Sequence, residues 1–334
     1  MLQGTIKILN HKSEVLRGNL PGDKHERELC VYLPPQYEEH DDEKSFPSVY
    51  CLTGFTGRGK MLLNDNALSP NLAERMDRLI DAGKIKPMIV VMPDCFTYYG
   101  GSQYINSSTT GNYEDYLINE IVPFVDENFR TIADRNSRAV MGKSSGGYGA
   151  LVHAMRHADV FGLCASHAGD AYFEHCYLPD IPKAFRAFVS TQGDPKAFLE
   201  KFWAEEKKGK NDFPAFNLLG MSACYSPNPE AELGFDLPFD LQTGEIDQAV
   251  FSRWLEHDPV RMIEKHSDAL KGLKLLYLDA GTNDEFALDI GARIFVSKLK
   301  ALGINYVHEE FSDGHFNIGY RYDRSLELIS ENIR

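Results

Sequence analysis

The stretch Ser137-Arg-Ala-Val-Met-Gly-Lys-Ser-Ser-Gly-Gly-Tyr-Gly-Ala150 decides the fold of this chain. An apolar run leads into Gly142-Lys-Ser-Ser-Gly146, and the residues that follow resemble the start of a helix. In this strand–turn–helix context, G-x-S-x-G denotes a sharp elbow that exposes a serine at the end of a sheet strand. Glycines flank such an elbow because a Cβ there would collide with the neighbouring strand or helix. The stretch therefore predicts Ser144 as a nucleophile.

The composition limits the classes of protein to which the chain can belong. Its 334 residues are 43% hydrophobic and 25% charged, which is ordinary for a globular protein with a large core. The net charge of −14 argues against nucleic acid as a partner and against anionic membrane surfaces. No apolar run reaches the ~18 residues of a membrane-spanning helix, and the N-terminus has no signal-peptide pattern. We therefore expect a protein without nucleic-acid or membrane partners.

Six cysteines are scattered along the chain with no C-x-x-C pair. Several of them fall in apolar, strand-like runs, which is typical of buried free thiols in a reducing compartment. The expected location is cytoplasmic.

Short apolar runs alternate with segments of helical spacing along most of the chain. The runs at 7–16 and 28–33 predict antiparallel strands near the N-terminus. Further strands are predicted at 48–52, 88–92, 162–169, 273–278 and 306–311, and helices at 72–80, 113–129, 285–302 and 317–333. This alternation is typical of an α/β protein with a mainly parallel central sheet and helices on both faces.

Residues 171–258 interrupt the alternation. They are rich in aromatic residues and proline, and only the segments around 195–207 and 247–255 have a helical pattern. Since nothing like a linker marks the edges, we interpret 171–258 as an inserted cap or lid on a core formed by 1–170 and 259–334. A separate domain is the alternative.

A serine nucleophile needs a base and an acid that orients the base, and in the serine-elbow architecture both follow the serine along the chain. Three acids compete after the strand at 273–278. Asp279 continues the strand and is best explained as structural, and Glu285 begins the next helix and can complement its dipole. Asp284, at the loop tip, is the preferred acid, and Asp170 after an earlier strand is the runner-up.

The expected base is His315, which lies between Gly314 and the final helix, after the strand at 306–311. His308 lies within the strand pattern and is the weaker candidate. His153 and His157 are four residues apart on one helix and could bind a metal. They lack a carboxylate at the spacing of a zinc protease, so a packing or surface role is the better interpretation.

The oxyanion of a tetrahedral intermediate needs backbone N–H donors. The expected donors are Ser145, directly after the nucleophile, and Phe55, in the glycine-flanked loop after the strand at 48–52. The same loop offers an alternative, because 54–60 matches the G-x-x-x-x-G-K part of a phosphate-binding loop. Met61, however, stands where a serine or threonine hydroxyl would bind Mg²⁺.

These motifs resemble the putative-esterase family of α/β-hydrolases, which includes esterase D (S-formylglutathione hydrolase), enterochelin esterase, feruloyl esterases and mycolyltransferases. The resemblance rests on segments that occur in the family's order: 31–37, 47–55, 113–117, 141–150, 281–286 and Gly314-His315. It implies an α/β-hydrolase fold, with Ser144 as nucleophile, Asp284 as acid and His315 as base. It also implies an oxyanion hole formed by the N–H groups of Phe55 and Ser145.

The resemblance implies a serine esterase that forms an acyl-enzyme and needs no metal or organic cofactor. The expected substrate is a small ester or one linked to a carbohydrate or aromatic group; an acyltransferase or a non-catalytic binding protein on the same fold is the alternative. Three residues depart from the family pattern: Thr53 replaces a common histidine, Lys143 precedes the serine, and Phe316 follows the base. Thr53 and Lys143 would line the site and so bear on substrate choice.

Overall fold

The structure, a computed structural model, describes residues 2–37 and 44–334. The acidic run at 38–43, which the sequence predicts to be solvated surface, lies outside the described residues. Within the described ranges, one large sheet contains eight strands. They are β1 Thr5–Lys12, β2 Glu26–Leu33, β3 Ser48–Leu52, β4 Ile89–Pro93, β5 Arg138–Lys143, β6 Leu163–His167, β7 Leu275–Gly281 and β8 Val307–Phe311.

The strands lie in the order β1-β2-β4-β3-β5-β6-β7-β8. β1 pairs antiparallel with β2, and β2 pairs antiparallel with β4, whereas every later pair is parallel. Strands β3, β4 and β6 are buried along their whole length, which explains why they are continuous apolar runs in the sequence. The mainly parallel sheet and the antiparallel N-terminal strands are confirmed.

Helices cover both faces of the sheet, and the buried residues form a cluster on each face. The longer helices outside 171–258 are α1 Leu72–Asp81, α2 Val122–Asn128, α3 Ser145–Arg156, α8 Leu288–Ala301 and α9 Arg321–Asn332. The helix predicted at 113–129 is continuous but includes a π-helical stretch at Tyr116–Ile121 before α2. The helices predicted from 285 and 317 begin three and four residues later, because loops carrying Asp284 and His315 precede them.

Residues 171–258 leave the sheet after β6, and β7 follows later in the chain. They carry the longer helices α4 Ile181–Val189, α5 Pro195–Ala204, α6 Asp212–Tyr225 and α7 Gln248–Leu255. Helices α5 and α7 were predicted, whereas α4 and α6 were not. Helix α6 is apolar on nearly every side and buried, so its sequence has no 3.6-residue period to detect. A shorter helix of this segment is Phe173–Cys176, and two more, Pro259–Met262 and Ser267–Lys271, follow it.

All six cysteines are buried and unbonded, as the sequence predicts. None of the helices in the described part of the chain has both the length and the apolar character needed to cross a membrane.

Asp258 joins the two ends of the 171–258 segment. Its Oδ1 accepts hydrogen bonds from the backbone N–H of Tyr172, at 3.0 Å, and of Val260, at 2.9 Å. Its Oδ2 accepts a third from the N–H of Phe173, at 3.2 Å. The side chain is fully buried, so water could not take the place of this carboxylate as the acceptor for these N–H groups.

We expect Asp258→Ala to lower the free energy of unfolding by about 2–4 kcal/mol, because it leaves buried N–H donors unpaired at both ends of the segment. Urea denaturation measures this difference. Asp247→Ala is the matched control: Asp247 also accepts two backbone N–H bonds, but it is an exposed helix cap. Its removal should cost only about 1 kcal/mol. Equal losses in the two variants would contradict the role of Asp258.

Candidate active site

Ser144 lies in a strained turn between β5 and α3. Its backbone has φ 57° and ψ −127°, a conformation that a residue with a side chain rarely adopts and that costs about 1–3 kcal/mol. The start of α3 packs closely against the end of β3 and holds Ser144 in this conformation. The approach is so close that a Cβ on Gly146 would overlap the carbonyl of Leu52. The N–H of Ser144 also donates to the carbonyl oxygen of His167, at 2.9 Å. The side chain is thereby presented beyond the end of the sheet.

Ser144, His315 and Asp284 meet at this edge of the sheet. The Nε2 atom of His315 lies 3.1 Å from Ser144 Oγ, and its Nδ1 lies 2.8 Å from Asp284 Oδ2. Asp284 and His315 are buried, whereas Ser144 is partly exposed. The spacing is that of a nucleophile, a base and an orienting acid in one hydrogen-bonded chain.

Contacts within and between the loops after β7 and β8 hold Asp284 and His315 in place. Asp284 Oδ1 accepts from the N–H of Phe286, at 2.9 Å, which leaves Oδ2 for the imidazole. Glu285 Oε2 accepts from the backbone N–H of His315, at 2.6 Å, and so ties the two loops together. The sequence indicated Glu285 as one of three competing acids, best explained as complementing the dipole of the next helix. The hydrogen bond from the His315 backbone to Glu285 joins two loops that are distant in sequence, and the sequence pattern contains no signal for it.

Asp279 belongs to a second Ser–His–Asp arrangement that is wholly buried. His167 Nδ1 lies 2.7 Å from Asp279 Oδ1, and His167 Nε2 lies 2.8 Å from Ser325 Oγ. Arg321 also donates to Asp279. Burial alone would raise the pKa of Asp279, but the attraction of His167 and these hydrogen bonds lower it below its usual value. All three members are at most 1% exposed, so no substrate can reach Ser325.

The remaining histidine candidates lie elsewhere. His308 is within β8 and has no hydrogen bond to Ser144 or Asp284 among the described contacts. His153 is fully buried against the ring of His157, and burial lowers its pKa to about 3. His157 bonds to Glu114 at 2.8 Å. These contacts are those of packing and ion pairing.

Phe55 and Ser145 each have a backbone N–H without a partner among the described residues, and both residues lie beside Ser144. Neither group donates a hydrogen bond to any residue that the structure describes, and both residues border the same cavity as Ser144. Ser145 begins α3, where the first N–H groups have no partner within the helix. A Cβ placed on Gly54 would lie 3.3 Å from Ser144 Cβ, so the backbone of the loop after β3 is close to the serine.

The 171–258 segment supports this loop. The ring of Phe55 packs against Phe216 of α6, with ring centroids 5.6 Å apart. A Cβ on Gly220 would come within 2.7 Å of the same ring. The next residue along the loop, Thr56, donates its N–H to Gly100 O at 2.8 Å. The position of the Phe55 N–H therefore depends on contacts with α6.

Residues 54–60, which match part of a phosphate-binding loop in sequence, make other contacts in the structure. Residues 59–63 form a short 3-10 helix, and Lys60 forms an ion pair with Glu28 at 3.4 Å. Gly54 instead lies against Ser144. The glycines of this loop therefore accompany the serine site.

A partly enclosed cavity of about 120 Å³ contains Ser144 and His315. Its wall combines residues of the sheet loops with residues of the 171–258 segment. It is lined by Gly54, Phe55, Lys143, Ser144, Ser145, Asp170, Cys176, Tyr177, Phe213, Asn217, Phe286, Leu288, His315 and Phe316. A larger open groove of about 820 Å³ lies entirely within residues 194–250 and contains none of the three hydrogen-bonded groups.

Two charged side chains line the 120 Å³ cavity without an ion-pair partner among the described residues. Lys143 Nζ lies 5.5 Å from the centre of the exposed Phe316 ring, and partial burial lowers the pKa of its ammonium group. Asp170 is buried and does not contact His315 in place of Asp284. Burial raises the pKa of Asp170, and hydrogen bonds from Tyr177 and other neighbours offset only part of this rise.

The family model described as "Putative esterase" matches residues 23–301. The chain belongs to this family. The segments that it shares with curated members are short: a 119-residue stretch is 39% identical to an endo-1,4-beta-xylanase/feruloyl esterase of Xylanibacter ruminicola and covers 36% of this chain. A 92-residue stretch, 26% of this chain, is 42% identical to an esterase of Mycobacterium tuberculosis. They span only 16% and 19% of those two relatives' own lengths.

Solved structures of esterases share the fold of this member of the Putative esterase family over its whole length. A ferulic acid esterase superposes with a TM-score of 0.65 at 19% identity, covering 100% of both chains. An S-formylglutathione hydrolase from Agrobacterium tumefaciens gives a TM-score of 0.61 at 18% identity, over 100% of this chain and 97% of the other. The fold is that of the α/β-hydrolases, as the resemblance implied.

The two Ser–His–Asp arrangements of this esterase-family chain predict different reactivity. A fluorophosphonate probe should label the wild type and Ser325→Ala, because Ser325 is buried, and should fail to label Ser144→Ala. Intact-protein mass spectrometry detects the adduct, and thermal unfolding checks that each variant is folded. Labelling that persists in folded Ser144→Ala would show that another residue is the reactive nucleophile.

Proposed function

We propose that this protein is a serine carboxylic-ester hydrolase in which Ser144, His315 and Asp284 form the catalytic triad. The observation that carries the proposal is the hydrogen-bonded chain from Asp284 through His315 to Ser144, on a strained elbow beside two free N–H groups. Family membership supports the reaction class. The three hydrogen-bonded residues come from three separate loops. A cluster with only a structural role would not need a partly exposed serine in a strained backbone conformation.

The proposed reaction has two halves. Ser144 Oγ attacks the ester carbonyl while His315 Nε2 takes the hydroxyl proton, and Asp284 stabilises the imidazolium that results. The N–H groups of Phe55 and Ser145 stabilise the oxyanion of the tetrahedral intermediate. The intermediate collapses to an acyl-enzyme as the alcohol leaves with the proton from His315. Water, activated by His315, then releases the acid. Every group in this scheme belongs to the chain or is water, so we propose no metal or cofactor.

The size of the cavity favours a short acyl or alcohol group. An enclosed cavity of roughly 150 Å³ binds benzene, and the partly open cavity beside Ser144 is smaller, at about 120 Å³. An aromatic group would leave little room in this cavity for the rest of the ester. Among the ester classes considered from the sequence, we propose small esters ahead of those with an aromatic acyl group. We also propose a reducing compartment, in line with the six buried thiols.

We expect the protein to hydrolyse p-nitrophenyl acetate, and Asp284→Asn to lower kcat by about 10³–10⁴-fold, because the imidazole loses its orienting charge. Glu285→Gln is the matched control, since the amide oxygen can still accept the His315 N–H, and kcat should fall by less than about tenfold. Release of p-nitrophenol in steady state measures both.

A greater loss in Glu285→Gln than in Asp284→Asn would contradict this choice of acid. Acceptor alcohols added to the assay distinguish the two enzyme classes that share this chemistry. If acetyl transfer to the alcohol exceeds acetate release at millimolar acceptor, the protein is an acyltransferase. The absence of any turnover, together with an unlabelled Ser144, would favour a binding protein.

A further inference from the structure

Asp170 is a buried carboxylate on the wall of the active-site cavity that the proposed hydrolysis does not use. It lies just after β6, is 6% exposed and borders the same cavity as Ser144 and His315. No described lysine, arginine or histidine lies within ion-pair distance of it. Burial of a carboxylate is costly unless its oxygens accept hydrogen bonds, so the partners of each oxygen of Asp170 decide what this group can do.

The two oxygens of Asp170 have different surroundings. Oδ2 is surrounded by donors: the Tyr177 hydroxyl at 2.8 Å, Gln103 Nε2 at 3.2 Å and the Ser145 hydroxyl at 3.4 Å. Oδ1 accepts no hydrogen bond from any residue in the described ranges, yet it is not among the described buried atoms that lack both a partner and solvent contact. Oδ1 is therefore the oxygen that the cavity leaves accessible.

The surroundings hold this carboxylate rigidly. Gln103 Nε2 also donates to Tyr225, at 2.9 Å, so both of its protons are committed. Gln103 and Tyr104 both have positive φ, 49° and 57°, in the turn that delivers the amide to the cluster. An acceptor fixed in this way binds a donor without first losing side-chain entropy.

We propose that Asp170 Oδ1 recognises a neutral hydroxyl group carried by the substrate close to its scissile ester bond. This inference rests on the proposed ester hydrolysis and adds the substrate class. A hydroxyl fits better than an ammonium group because Lys143, which has no ion-pair partner among the described residues, borders the same cavity of about 120 Å³ and would repel a second cation. Because Asp170 and Ser144 line the same cavity of about 120 Å³, the hydroxyl would lie within a few bonds of the ester carbonyl.

The hydroxyl can belong to the acyl or to the alcohol half of the ester, and matched substrates separate the two. For the acyl half, methyl lactate is compared with methyl 2-methylpropanoate, in which a methyl group replaces the hydroxyl. For the alcohol half, 2-hydroxyethyl acetate is compared with propyl acetate. Acid release in a pH-stat gives kcat/KM for each.

The wild type should prefer the hydroxyl member of at least one pair by about tenfold or more, the effect of one hydrogen bond to a charged group. Asp170→Asn should lower that preference about tenfold, because the carboxylate charge is lost and the amide must reorient among donors. Asp180→Asn is the matched control: Asp180 is also 6% exposed but pairs with Lys183 away from the cavity, so the ratio should stay unchanged.

Equal kcat/KM values within both pairs in the wild type would overturn the inference, whether or not the Asp170 variant folds. A folded Asp170→Asn with an unchanged ratio would also overturn it, as would faster cleavage of methyl alaninate than of methyl lactate. In each of these cases the esters are still hydrolysed, so the proposed function stands. If no ester is cleaved and Ser144 resists the fluorophosphonate, the proposed function fails and this inference fails with it.

Discussion

The strained backbone of Ser144 is the constraint on which the rest of the site depends. A residue with φ 57° and ψ −127° remains in that conformation only where its surroundings allow no other. Here Gly146 lets α3 approach β3, and the N–H of Ser144 is bonded to the carbonyl of His167 on the adjacent strand β6. The sheet therefore stores the strain that aims the serine at His315.

The buried Asp279–His167–Ser325 arrangement supports this elbow from below. His167 is fixed by Asp279 on one ring nitrogen and by Ser325 on the other, and its carbonyl accepts the Ser144 N–H. The same three residue types thus occur twice in one protein. In the buried set they join two strands to helix α9, and in the accessible set they form the proposed triad. Burial and backbone strain, rather than residue identity, distinguish the two.

The 171–258 segment contributes more than a cover. Helix α6 packs on the ring of Phe55, whose N–H we propose as an oxyanion donor, and Tyr177 both lines the cavity and bonds Asp170. Asp258 joins the ends of the segment where it leaves the sheet. One segment therefore contacts both a proposed oxyanion donor and the carboxylate that we propose as a substrate contact.

The sequence predicts those parts of the molecule that depend on local patterns. The buried strands are continuous apolar runs, and the elbow and the order Ser144, Asp284, His315 are short motifs in a recognisable order. The sequence could not predict α6, because a helix buried on all sides has no amphipathic period. It also could not reveal that Glu285 holds the His315 backbone or that Gln103 and Tyr177 hold Asp170, since these contacts join loops distant along the chain.

The proposed hydrolysis passes through an acyl-enzyme on Ser144, and detecting this intermediate tests the mechanism directly. The wild type is mixed with p-nitrophenyl acetate, quenched in acid during the first turnover and digested, and the peptides are mapped by mass spectrometry. We predict one acetyl group, on Ser144, that disappears as acetate is released. An acetyl group on another residue that forms and decays at the rate of turnover, or turnover with no acetylated peptide when deacylation limits the rate, would contradict it.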